Sequence, residues 1–78
     1  NVWLGAGGAL YKFDKQRQLM VNHKPLNWES ETEIWNLYNR NKNQIWLCTG
    51  NKGALLYDKK ADSIIVKLNY NKMDSVAD

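Results

Sequence analysis

Ile45-Trp46-Leu47-Cys48-Thr49-Gly50 repeats Val2-Trp3-Leu4-Gly5-Ala6-Gly7 after 43 residues, in apolar character, in its tryptophan and in the glycine that ends the run. A second match follows. Gly53-Ala54-Leu55-Leu56-Tyr57-Asp58 answers Ala9-Leu10-Tyr11-Lys12-Phe13-Asp14 after 44 residues, so the later copy has one more residue in its glycine-containing loop. Loops accept such insertions. Self-similarity over tens of residues is the signature of stacked supersecondary units.

Working outward, each unit reads as short strands: apolar runs of about four to six residues, rich in Val, Ile, Trp and Tyr, between clusters of Asn, Gly, Asp and Lys. Strands are predicted near residues 2–5, 9–13, 18–22, 34–38, 44–48, 54–57 and 63–68. Helix is the poorer reading, because Gly5, Gly7, Gly8, Gly50 and Gly53 interrupt the apolar runs and no stretch sustains helical spacing. The run from Asn39 to Gln44 predicts a hairpin, with asparagines suited to left-handed turn positions.

Four short strands in a period of about 43 to 45 residues fit a β-propeller blade. The expected fold is therefore all-β, a fragment of a β-propeller of about one and a half four-stranded antiparallel blades. Residues 1–33 are a partial blade and connecting loop, 34–68 one complete blade, and 69–78 the loop leading to the next blade. Because Val2-Trp3-Leu4 already reads as strand, the chain is expected to be an excised piece. Ile45 to Cys48 is nearly unbroken in apolar character, which predicts an inner strand buried on both faces. Ser63 to Leu68 carries a lysine and predicts an outer strand.

Composition bounds the function. The chain has 78 residues, 44% apolar, with four Trp and four Tyr, richer in large flat side chains than a disordered segment. Eleven Lys and Arg against eight Asp and Glu give a net charge of +3. The basic residues are scattered, which argues against nucleic acid as a partner. No apolar run approaches the roughly 18 residues of a membrane helix, and no signal-peptide pattern is present, so this segment is expected to make no membrane contact. Cys48 is the single cysteine, so no internal disulfide is possible.

At these residues the sequence resembles the two-component regulator propeller repeat, whose pattern runs V-x-x-I-x-E-D-x-x-G-N-I-W-I-G-T and then G-L-x-x-Y-D. Ile34, Leu37 and Tyr38 match its first strand, Ile45, Trp46, Leu47 and Thr49 its second, and Tyr57-Asp58 closes its third. The earlier copy keeps Trp3, Leu4, Gly5, Phe13 and Asp14. Asn39 and Arg40 replace the usual acidic pair, Asn43 the turn glycine, and Cys48 the glycine before the threonine.

The resemblance implies the periplasmic sensor region of a hybrid two-component histidine kinase, from Gram-negative bacteria that degrade polysaccharides. There, propellers precede a small β-sandwich, a membrane helix, and cytoplasmic kinase, receiver and DNA-binding modules. The implied role is non-catalytic: binding a glycan fragment, or supporting the dimer geometry that sets kinase activity. Implied partners are the rest of the propeller or other copies of the chain, meeting through open blade edges, and an oligosaccharide.

Each residue that invites a functional reading has a plainer one. Gly5-Ala6-Gly7-Gly8 precedes a strand, so a tight turn is favoured over a phosphate loop. Trp3 and Trp46 recur inside apolar runs and read as blade core. Trp28, in the polar stretch Asn27 to Ser30, and Trp35 are freer, and are the two candidates for ligand or inter-blade contact, with packing favoured even there. Cys48 has only His23 as a conceivable base, so an inert, buried thiol is favoured. His23 alone makes no metal site and reads as a surface loop histidine. Asp14 and Asp58 recur after an aromatic residue and read as turn caps, with Lys15, Arg17, Lys59 and Lys60 as solvated loop charges. No cofactor or metal is expected. A carbohydrate-active enzyme would require carboxylates or metal ligands at a channel mouth, and an interaction propeller of the WD type its Gly-His and Trp-Asp dipeptides, which do not occur.

Overall fold

In a computed structural model, which describes residues 2–69, the chain is all-β, with seven strands in two antiparallel sheets. Strands β1 (Trp3–Ala6), β2 (Ala9–Asp14) and β3 (Leu19–Asn22) form the first, in that order. Strands β4 (Ile34–Asn41), β5 (Gln44–Thr49), β6 (Ala54–Asp58) and β7 (Ser63–Leu68) form the second, again in chain order. These are three strands of one propeller blade and all four of the next. The inner position of β5 and the edge position of β7 match the sequence reading.

The repeat dictates which side chains meet. In the first sheet Trp3 lies across from Lys12, and Gly5 across from Leu10, so these four share one face. That face packs on Ile34, Ile45, Leu47, Leu55, Tyr57 and Ile64 of the second sheet, which together with Leu10 are the buried core. Ile45 and Leu47 have no exposed surface at all. Full burial of each such side chain contributes about 1.5–3 kcal/mol.

Gly5 sets the spacing of the sheets. A Cβ there would lie 2.3 Å from Ile34 Cγ2 and 3.1 Å from Ile34 Cβ, so the glycine is needed for close approach. Ile34 is β-branched and stiff, and cannot swing away. Gly53 answers a backbone demand instead: its φ is +76°, and a Cβ would meet the Leu68 carbonyl oxygen at 2.2 Å.

Turn chemistry repeats with the blades. Asp14 Oδ1 accepts from the backbone N–H of Gln16 at 3.0 Å, and Asp58 Oδ1 from that of Ala61 at 2.9 Å. Both aspartates are the caps their recurrence suggested. Each turn then closes on a non-glycine residue at positive φ, Gln18 at 54° and Asp62 at 53°.

Three expectations need correction. Strand β4 runs to Asn41, not Tyr38, leaving a two-residue turn at Lys42 and Asn43. No asparagine among the described residues has positive φ; Asn41 instead shapes the turn with its side chain, whose Oδ1 accepts from Asn43 N–H at 2.9 Å. Strand β5 is covered on one face only. Ile45, Leu47 and Thr49 are buried against the first sheet, whereas Trp46 and Cys48 are half-buried on the far face. Trp46 is therefore not enclosed core: it occupies the repeat position of Trp3, which faces the following blade. The loop expected at 69–78 lies, from residue 70 onward, outside the described residues.

Replacing Gly5 by alanine is expected to destabilise the fold by about 1–3 kcal/mol through overpacking against Ile34. Equilibrium urea unfolding measures this directly, and an unchanged midpoint would contradict the close approach.

Candidate functional site

The connection from His23 to Glu33 joins the sheets and carries most of the chemistry. It begins along the edge of β7, where Asn27 acts as a substitute strand. Its Nδ2 donates to the Ile64 carbonyl at 2.8 Å and its Oδ1 accepts from Ile64 N–H at 2.7 Å. The Leu26 N–H donates to the Asp62 carbonyl at 2.8 Å, so part of this edge is satisfied within the chain. Further on, Glu29 pairs with Lys67 and, at 3.8 Å, with Lys52. The Lys67 contact is the main cause holding its carboxyl below the usual range. Buried Thr32 donates to the Glu29 carbonyl at 2.7 Å.

Trp28 and Trp35 both lie at this loop end, but the structure does not bring them into one site. Trp28 packs against the core cluster and borders a groove beside Gly8, Lys24, Ser30 and Glu31. Trp35 is 75% exposed. It is the extra residue of a bulge in β4, where pairing passes from Ile34 with Thr49 to Asn36 with Cys48. Bulges re-aim side chains, and this one turns a large aromatic ring to solvent. The ring lies over Gly50, where a Cβ would come within 2.7 Å of it.

Asn51 fixes the neighbouring backbone. Its side-chain amide donates to the carbonyl of Glu31, itself at φ 62°, and its Oδ1 accepts from Glu33 N–H at 3.0 Å. Two exposed glutamates, 31 and 33, thus sit on an ordered loop leading into Trp35. An exposed aromatic face beside hydrogen-bonding groups suits a flat, hydroxylated ligand.

A second constellation lies between the sheets at the opposite, hairpin end. Tyr57 donates to Asp62 Oδ1 at 2.7 Å, and His23 Nε2 lies 2.6 Å from the same oxygen and 3.0 Å from the Tyr57 hydroxyl. Trp3 packs edge-on to His23, with centroids 5.6 Å apart, and tilted against Tyr57 at 5.5 Å. His23 is therefore not a surface loop histidine; it is half-buried in an inter-blade network. The hydrogen bonds from Tyr57 first, and then from His23, hold the Asp62 carboxyl below its usual value of 3.8. Burial, and then Asp62, push the Tyr57 hydroxyl above its usual 10.0, so it stays protonated.

Cys48 is half-buried on the open far face, not fully buried as expected, beside Tyr38, Trp46, Ala54 and Leu68. His23 faces the other side of the same sheet, so the two are not a nucleophile and base pair. Among the described residues no group of three His, Cys, Asp or Glu could hold a metal ion.

The Tyr57–His23–Asp62 network was not legible in the sequence, because its members lie 5 and 34 residues apart along the chain. The nearest signal was that Asp62 closes its turn where Gln18 closes the earlier one. Comparison with known proteins found no matching family model, no similar curated protein and no similar solved structure.

Because the Asp62 carboxyl is lowered in the fold, it contributes stability above its ordinary value of 3.8 and loses it as pH falls through and below that value. Thermal unfolding of the parent chain and of Asp62→Asn should differ most above pH 3.8 and converge in stronger acid. A constant difference across the acid range would show that the carboxylate charge is not what stabilises.

Proposed function

We propose that this chain is a non-catalytic part of a periplasmic, ligand-sensing β-propeller of a hybrid two-component sensor kinase, responding to glycan breakdown products. The repeat and its resemblance support the setting. Trp35 carries the ligand reading: a tryptophan turned outward by a bulge, at 75% exposure, costs solvation that a stacked sugar ring would recover. Glu31 and Glu33, exposed on the loop that leads into Trp35 and is tied to Asn51, supply acceptors. Trp28, held by the core, acts as support for the loop rather than as a platform.

The reading predicts two outcomes. Intrinsic fluorescence of the 78-residue chain should respond saturably to at least one of xylo-, malto- or galacturono-oligosaccharides. Trp35→Ala should weaken that response about tenfold or more, while changing stability by less than about 0.5 kcal/mol, as expected of an exposed side chain. No response from any of the three series, or an undiminished one in Trp35→Ala, would refute the role of Trp35. For the setting, the gene downstream should encode a membrane helix and a histidine kinase module; their absence would refute it.

The far face of the second sheet supports the proposed partners. Tyr38, Trp46, Cys48, Ala54 and Leu68 line an apolar pocket of about 260 Å³ there, and three of them, Trp46, Cys48 and Ala54, occupy the repeat positions of Trp3, Gly5 and Leu10, which the first sheet turns toward the second. A following blade, or another copy of this chain, fits that face. Sedimentation over a range of concentrations should then show reversible association, which Trp46→Glu abolishes. A strictly monomeric parent chain would contradict self-association.

A further inference from the structure

The hairpin end of the sheets, opposite the loops that carry Trp28 and Trp35, opens into a cleft of about 440 Å³ between the blades. Lys12 enters it from β2, Lys42 from the β4–β5 turn, and Lys59 and Lys60 from the β6–β7 turn. The one carboxylate on its walls is Asp62, whose charge is already engaged by Tyr57 and His23. None of the four lysines comes within 4 Å of a carboxylate among the described residues, although Lys12 helps to lower the Asp62 carboxyl and Lys60 that of Asp58. Like charges gathered in a concave, partly apolar space raise the local potential and concentrate anions.

Two of these cations are positioned in advance. The ammonium groups of Lys12 and Lys59 each lie 5.6 Å from the centre of the Trp3 ring. Lys59 Nζ also donates to the Lys42 carbonyl at 3.0 Å. Such ordering lowers the cost of binding. Trp3 itself lines the cleft, and its Nε1–H, buried and without a hydrogen-bond partner among the described residues, is a probe of changes in that wall.

We propose that this cleft binds a small polyanion, a molecule with two or more phosphate, sulfate or carboxylate groups, and that binding ties the two blades together. Lysines stand on both sheets, so a ligand with several anionic groups engages both walls. Ammonium groups act as point charges without the planar fork of arginine, so charge and size select the ligand more than the geometry of one group. The volume lies within the range of small-molecule sites. The site is separate from Trp35 and stands or falls independently of it.

The test titrates the full 78-residue chain with pyrophosphate and with citrate, at ionic strength held constant with sodium chloride. The readouts are the Trp3 indole N–H resonance, assigned with Trp3→Phe, and the thermal midpoint. A saturable shift of that resonance with a rise in midpoint is expected for at least one probe. Binding of both marks charge as the determinant, and binding of pyrophosphate alone narrows the ligand to phosphates and sulfates. Lys42→Gln/Lys60→Gln, in turn positions that spare the core, should weaken binding about tenfold, whereas Lys15→Gln/Lys24→Gln should change it less than about twofold for the same loss of charge. No saturable shift with either probe, or equal weakening by the two double variants, would overturn the proposal.

Discussion

The close packing of one blade face on the next, with Gly5 against Ile34 and Trp3 against Tyr57, is the constraint on which the rest depends. Sheets of three and four short strands have no core of their own; their side chains become buried only where the faces meet. Glycine at position 5 lets Ile34 approach, and that approach brings Leu10, Ile45 and Leu47 into one buried cluster. Larger rings then fill the hairpin end, where the sheets are farther from the glycine contact. Polar groups enter the interface there, and the cleft opens between the blades.

The two ends of the stacked sheets are chemically different. At the loop end the glutamates 29, 31 and 33 lie on one connection, clamped by Asn51 and by the lysines that pair with Glu29. At the hairpin end, lysines gather around Trp3 while the nearby aspartates are occupied, Asp58 by Ala61 N–H and Gln44, Asp62 by Tyr57 and His23. A scattered distribution of charge along the chain thus becomes two opposed surfaces in space. Antiparallel hairpins cause this, because they return turns that are about ten to twenty residues apart to the same end of the sheet.

Translation by one repeat also accounts for the open face. Trp3 and Gly5 correspond to Trp46 and Cys48, and the first pair is covered by the second sheet while the second pair is not. An apolar run reads the same whether one or both faces of its strand are covered. The expectation of two-sided burial for β5 followed from residue type alone, whereas burial depends on how many sheets stand beside it. A residue's depth is a property of the assembly of blades.

The sequence by itself determined the seven strands, their order, the repeat of about 43 to 44 residues and the capping role of Asp14 and Asp58. All of these rest on local propensity, turn chemistry or spacing, which a linear reading contains. It also marked Trp28 and Trp35 as the freer tryptophans without separating them. Only the tertiary structure decided that Trp28 supports the core while the β4 bulge turns Trp35 outward. It alone joined His23, Tyr57 and Asp62, and gathered four lysines from three segments into one cleft. These features depend on contacts across the blade interface, where residues distant in sequence become neighbours because two faces must exclude water together.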